Sequence, residues 1–136
     1  MPNIYIPLLT KVKSVVTENK TNDIKTIELE FQKEEDYKNF NYIPGQFAEI
    51  SIIGKGECPI GIASSPTEEG SIKFTIKRMG TVTSVFHSRE VGDVVGVRGP
   101  CGNGWPLEDM KGKNIVVIGG GFAFSTLRSL VLYLLD

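Results

Sequence analysis

The apolar pattern predicts a mainly β fold: a six-stranded antiparallel Greek-key barrel with one short helix, followed by a single C-terminal βα unit. Three observations lead there. Short runs alternate apolar with polar residues and are separated by turn signals. Only one segment before residue 110 carries clear helical spacing. The last residues then change class, from an apolar strand through three glycines into an apolar-faced helix. A closed sheet suits six such strands because an open one leaves two edges unpaired.

The elements follow in order. A first strand covers about 9–17. In "IKTIELEF" (24–31), Ile27, Leu29 and Phe31 share one face, against Thr26, Glu28 and Glu30 on the other. "KEEDYKNFNY" (33–42) reads as a charged loop with a helical turn. After the turn Pro44–Gly45, "QFAEISII" (46–53) turns Ala48, Ile50 and Ile52 inward, and "PIGIASS" (59–65) makes a further strand. "SIKFTIKRM" (71–79) places Ile72, Phe74 and Ile76 on one face, and "DVVGVRGP" (93–100) follows the turn Gly92–Asp93. Between these two, "TVTSVFHSRE" (81–90) sets Val82, Val85 and Phe86 at helical spacing. At the end, "NIVVIGGG" (114–121) reads as a buried parallel-type strand. The helix after it puts Phe124, Leu127, Leu130, Val131 and Leu134 on one face. The expected division is 1–110 for the barrel and 111–136 for the βα unit.

Composition excludes several classes. Fifteen basic residues balance sixteen acidic ones, so no field attracts nucleic acid or an anionic membrane. No run approaches the 18 or so apolar residues of a membrane span, because Ser125, Arg128 and Ser129 interrupt the best candidate. One histidine and two cysteines supply neither an iron–sulfur cluster nor a structural zinc site, and no metal is expected. Cys58 and Cys101 read as thiols in a reducing cytoplasm, and the start of the chain carries no signal-peptide pattern. His87, without a nucleophile in a strained elbow, reads as a surface or helix-end residue.

Four stretches can carry chemistry. In "KRMGTVTS" (77–84) a strand ends at Met79, Gly80 permits a turn and a helix begins. Amide groups and the helix dipole would meet an anion there, with Lys77 and Arg78 beside it and hydroxyls on Thr81, Thr83 and Ser84. An ordinary strand–turn–helix with a threonine N-cap gives the same string. In "ECPIGIASSP" (57–66) small residues suit a flat ring lying against the strand, with Gly61 allowing close approach; an edge strand broken by a bulge is the alternative. "RGPCGNGWP" (98–106) makes a rigid turn, with Trp105 able to seal an apolar seam. "IGGGFAF" opens like a nucleotide-binding unit, although the usual third glycine and distal acidic residue are missing.

Taken in this order, "CPIGIASSP", "KRMGTVTS", "GPCGNGW" and "VVIGGG" resemble the ferredoxin–NADP reductase superfamily. The nearest group is the electron-transfer subunits similar to hydrogenase/sulfur-reductase gamma and dihydroorotate dehydrogenase electron-transfer proteins. The resemblance implies a barrel that binds FAD rather than FMN, and a second domain that binds NAD(P). It also implies electrons leaving through an iron–sulfur partner subunit of hydrogenase or reductase type. Carried over by position, Ile60, Gly61, Ile62 and Ala63 back the flavin ring, and Gly80, Val82, Thr83 and Ser84 hold the pyrophosphate with Lys77 and Arg78 nearby. Gly119, Gly120 and Gly121 enter the nicotinamide-nucleotide domain, and Asn103, Gly104 and Trp105 match the linker beside the flavin. No catalytic residue is singled out.

The departures are specific. Cys58, Pro59, Ile60 and Gly61 stand where wider members have R-x-Y-S, and the gamma-type group usually keeps that serine. "GGGFAFST" replaces "GGGxGxAP", so Thr126 stands in the proline position. These changes imply looser flavin binding. They leave a second reading in view, a flavin-free barrel acting as an assembly module.

The ending implies the first βα unit of a truncated NAD(P) domain, with NAD(P) bound only where the remainder is present. Such a chain is not expected to oxidise NAD(P)H efficiently. A lone βα unit leaves its apolar face uncovered, at about 1.5–3 kcal/mol per large side chain. That predicts the helix folding back on its own barrel, inserting into another subunit, or pairing in a homo-oligomer through 114–136; pairing is the expected outcome.

Overall fold

The computed structural model describes residues 3–136. Six strands form one sheet: β1 (Leu8–Thr17), β2 (Ile24–Phe31), β3 (Phe47–Ile52), β4 (Gly56–Gly61), β5 (Ile72–Lys77) and β6 (Val94–Cys101). Their order is β4-β3-β6-β1-β2-β5, and every pairing is antiparallel. The sixth strand returns to lie beside the first, the long return of a Greek key. The two outer strands are joined by no ladder. They meet at a single bridge, Ile62 with Phe74, and at the Ala63 N–H, which donates to the Lys73 carbonyl at 2.8 Å. The sheet therefore curls into a barrel-like shape that is pinned shut at one point.

Alternation places the core where the pattern requires. Ile27 and Leu29 of β2, Ala48 and Ile50 of β3, Ile72, Phe74 and Ile76 of β5, and Val95 and Val97 of β6 are all buried. The segment 34–39 is helical: α1 (Glu34–Asn39) carries Glu34, Glu35 and Asp36 in its first turn, where the helix dipole favours negative charge. It sets Tyr37 against Phe31, whose ring also packs 5.2 Å from Phe40.

Two boundaries differ from the sequence expectation. β4 starts at Gly56 rather than Pro59, because Gly54 and Gly56 adopt positive φ and make a tight hairpin with β3. It ends at Gly61, where the chain leaves β3 for β5. Pro59 is tolerated because β4 is an outer strand. α2 (Thr81–His87) is shorter than 81–90; the Ser88 hydroxyl donates to the Val85 carbonyl and helps close its C-terminus.

The expected strand over 114–121 does not form. Residues 114–120 carry no regular structure, and Val116 and Ile118 are 82% and 88% exposed. A strand needs a ladder partner for its backbone, and none runs beside this segment among the described residues. The short helix α3 (Leu107–Met110) precedes it and α4 (Phe124–Leu135) follows.

α4 lies on its own barrel, the fold-back outcome among the three expected. Its buried positions are Ser129 and Leu130, whereas Phe124 and Leu134 are exposed. The surface beneath it explains the difference. The helix meets small and polar residues following β4, with Ser64 and Ser65 fully buried, rather than an apolar sheet.

Phe74 is fully buried at the point where the sheet's edges meet. Phe74→Ala is expected to cost about 3–5 kcal/mol of stability, read as a lower urea midpoint at unchanged slope.

Candidate functional site

β5 organises the site. Its even-numbered residues face the core, so Lys73, Thr75 and Lys77 lie on the outer face at roughly 6–7 Å per pair. At one end of that face lies a cleft of about 550 Å³ between barrel and tail, bordered by Ala63, Lys73, Thr75, Phe122, Phe124 and Arg128. At the other end the chain turns through Arg78 and Met79 into α2. One face thus connects the stretch after β4 with the turn before the helix, two of the sequence-predicted elements.

The turn is held by its own side chain. Gly80, not a threonine, is the N-cap, with extended φ of −158°. The Thr83 hydroxyl accepts from the Met79 and Gly80 N–H groups at 2.9 Å each. Thr83 is therefore committed to shaping the corner. The first-turn N–H groups of Thr81, Val82 and Thr83 have no carbonyl four residues back within the helix to bond. Arg78, Gly80 and Ser84 are exposed and Lys77 is half-buried; a Cβ on Gly80 would meet nothing within 4 Å. Val82 packs its side chain toward the core and against Gly56, leaving only its backbone to the corner. Asp23 adds an opposing charge beside Lys77; hydrogen bonds from Thr21 and Asn19 hold its carboxyl below the ordinary range.

Along β4 and its continuation, the four predicted residues divide. Ile60 packs against the core and Ile62 is buried within it, whereas alternation turns Gly61 and Ala63 to the outer side. Above Gly61 stands Thr126 of α4. Ser64 is tied down by Tyr42, whose hydroxyl lies 3.0 Å from Ser64 Oγ, and by the Lys73 N–H, which donates to Ser64 Oγ at 3.0 Å. Burial pushes the Tyr42 hydroxyl up to about 12, so it stays protonated.

An ionic cluster joins the two sides of the cleft. Arg128 of α4 donates to the Ala63 carbonyl at 2.9 Å and grips Glu68 with both terminal nitrogens, at 2.9 and 3.3 Å. Lys73 pairs with the same carboxylate at 2.6 Å, and the Ser65 N–H donates to it at 2.8 Å. Burial alone would raise the Glu68 carboxyl; the Arg128 fork, Lys73 and the Ser65 amide outweigh it and hold the group at about 2. Thr67 and Asp136 add a further hydrogen bond between loop and tail.

Other candidates fall into place. Trp105 lies against Gly45, whose positive φ of 102° and lack of a side chain make room for the indole. His87 stands at the end of α2 but is buried, not on the surface; its Nε2 lies 2.8 Å from the Ile76 carbonyl and therefore carries the proton. Cys58 and Cys101 are half-buried free thiols, and burial raises the Cys58 thiol. Among the described residues no metal-binding cluster exists, and no helix is long and apolar enough to cross a membrane. Gly119–Gly121 lie in the irregular stretch and short turn before α4, with Gly121 on the cleft.

Sequence reasoning missed Lys73 and Thr75, although strict alternation with Ile72, Phe74 and Ile76 marks them as outward. Glu68 and Arg128 gave no local signal, being sixty residues apart.

Residues 13–105 match the family described as oxidoreductase FAD-binding domain. Among curated proteins, the gamma subunit of sulfhydrogenase 2 from Pyrococcus furiosus is 41% identical over 97% of the chain and 44% of its own length. A probable dihydroorotate dehydrogenase B (NAD(+)) electron transfer subunit from Methanocaldococcus jannaschii is 32% identical over 84% of the chain and 38% of its own length. The chain thus spans less than half the length of these relatives. Among solved structures, ferredoxin-NADP+ reductase from Plasmodium falciparum superposes with a TM-score of 0.77 at 18% identity, covering 95% of the chain and 54% of the reductase. That likeness establishes the shared fold.

Because its folded-state carboxyl is depressed, Glu68 contributes its full stabilisation above the ordinary value of 4.5 and loses it as pH falls toward about 2. In urea titrations the stability gap between wild type and Glu68→Gln is expected to be widest above that window and to close through it. A gap independent of pH would contradict the ion cluster.

Proposed function

The chain belongs to the oxidoreductase FAD-binding domain family, and from that premise we propose that it holds FAD along the outer face of β5. The observation that carries this reading is the continuous face from Gly61 and Ala63, past Thr75 and Lys77, to the open corner at Gly80. The residues fit the group at both ends. The cleft has the volume of a small-molecule site, with Phe122 and Phe124 as apolar walls. The corner combines first-turn amides with two exposed or half-exposed cations and open space over Gly80.

In this reading Lys77, Arg78, the amides of Val82 and Thr83 and the exposed Ser84 side chain hold the pyrophosphate over the open space at Gly80, and the Thr83 hydroxyl keeps the corner in shape. Ala63 and the backbones of Ile60 and Ile62 support the ring, with Gly61 at its edge because Thr126 covers that glycine. Bound FAD supplies the redox chemistry, taking up a pair of electrons and giving them out singly. The protein's part is to bind and orient, and to cover one side of the cleft with α4.

The complete assembly is read from the relatives, a sulfhydrogenase gamma subunit and an electron transfer subunit, together with the resemblance drawn from the sequence. On that basis the domain would pass electrons between NAD(P)H and an iron–sulfur partner subunit, with Gly119–Gly121 on the nicotinamide-nucleotide side. The uncovered Ile115, Val116 and Ile118 support self-association through this stretch, with α4 itself already seated. Sedimentation at micromolar concentration tests it: Val116→Lys/Ile118→Lys is expected to dissociate the wild-type assembly, and a monomeric wild type would remove it.

Gly80→Asp separates cofactor binding from folding. Aspartate is a good N-cap and suits the helix dipole, so thermal stability is expected to hold or rise. Its charge would repel a pyrophosphate, and FAD affinity by fluorescence quenching is expected to fall at least about tenfold, with Gly80→Asn nearer to wild type. Protein that stays colourless after incubation with FAD would instead favour the flavin-free assembly module.

A further inference from the structure

The space over Gly61 is filled by a hydroxyl-bearing side chain from a different part of the chain. A Cβ on Gly61 would lie 2.8 Å from Thr126 Oγ1 and 2.9 Å from its Cγ2. Both branches stand in the way, so rotating the stiff β-branched side chain only exchanges one clash for another. Thr126 therefore requires glycine at position 61. On the resemblance drawn from the sequence, these are also two positions of departure: Gly61 where that pattern has a serine, and Thr126 where it has a proline. Separated by 65 positions in sequence, the two departures form one contact.

Thr126 is held in place by its neighbour. Two residues on, Arg128 fixes the register of α4 through Glu68 and the Ala63 carbonyl. Among the described residues, the side-chain hydrogen bonds seen between tail and barrel are those that Arg128 donates to the Ala63 carbonyl and Glu68 and the one that Thr67 donates to Asp136. A half-buried hydroxyl thus stands directly over Gly61, at the end of the strand proposed to back the ligand.

We propose that Thr126 is a ligand-positioning residue whose hydroxyl meets the edge of the cofactor ring at Gly61, in place of a hydroxyl carried by residue 61 itself. The proposal rests on the FAD reading above. The hydroxyl has moved from strand to helix, and the glycine makes room for it.

The test titrates FAD into the full chain and reads both affinity and the shape of the long-wavelength flavin absorption band. Thr126→Val and Thr126→Ala are expected to bind about 5- to 10-fold more weakly, with a band closer to that of free FAD, as for the loss of one hydrogen bond. Thr126→Ser should remain within about twofold of wild type. The decisive variant is Gly61→Ser/Thr126→Ala, which returns a hydroxyl from the opposite wall and should recover most of the affinity lost in Thr126→Ala. A role in packing alone predicts no such recovery. Thermal melts of each variant keep folding separate from binding. Wild type that binds FAD while Thr126→Val matches it in affinity and band overturns this inference alone, as does a double variant without recovery. Wild type that does not bind FAD removes the cofactor reading and this inference with it.

Discussion

The junction at Ile62 and Phe74 is the constraint on which the rest of the structure depends. Without it the sheet would have two open edges and the core would be exposed along both. Among the described residues, one bridge, one backbone hydrogen bond from Ala63 and the Ser64 hydroxyl hold the edges together. The chain must therefore change partners there, leaving β3 at Gly61 and reaching β5 at Ala63. That change turns Gly61 and Ala63 to the outer side with little or no side chain, which lets α4 approach closely.

The same junction receives the tail. Ser64 and Ser65 are buried beneath polar contacts rather than apolar ones, so α4 is held by directional bonds more than by area. Arg128 is the main anchor, and its fork on Glu68 fits because the carboxylate is already aimed by Lys73 and the Ser65 amide. Arg128 is 41% exposed, so its pairing orients the helix more than it stabilises the fold. The cleft between barrel and tail takes its shape from this orientation.

At the other end of β5 the corner before α2 follows a different logic. A seven-residue helix has little stability of its own. It is kept by Phe86 and His87 in the core side of the barrel end and by Thr83 reaching back to two backbone amides. The hydroxyl that looks in sequence like an anion ligand is used to build the turn. What remains for a ligand is backbone, open space over Gly80, and the charges of Lys77 and Arg78.

How much was legible follows from the range of the forces involved. Period-two alternation is local, and it located β2, β3 and β5 with their inward residues; turn signals marked β1 and β6 and only the end of β4. The helix after Gly80 was equally legible, since apolar spacing and a turn residue sit within a few positions. By itself, then, the sequence determined a six-stranded antiparallel fold and its core. The tertiary structure decided whether an apolar segment becomes a strand. "NIVVIG" has the composition for one, but a strand exists only where a neighbour accepts its backbone bonds. It also decided that Glu68 meets Arg128, that Thr126 covers Gly61 and that His87 is buried. Each of these joins residues far apart in the chain, and such contacts come into being only when the sheet curls and brings its ends together.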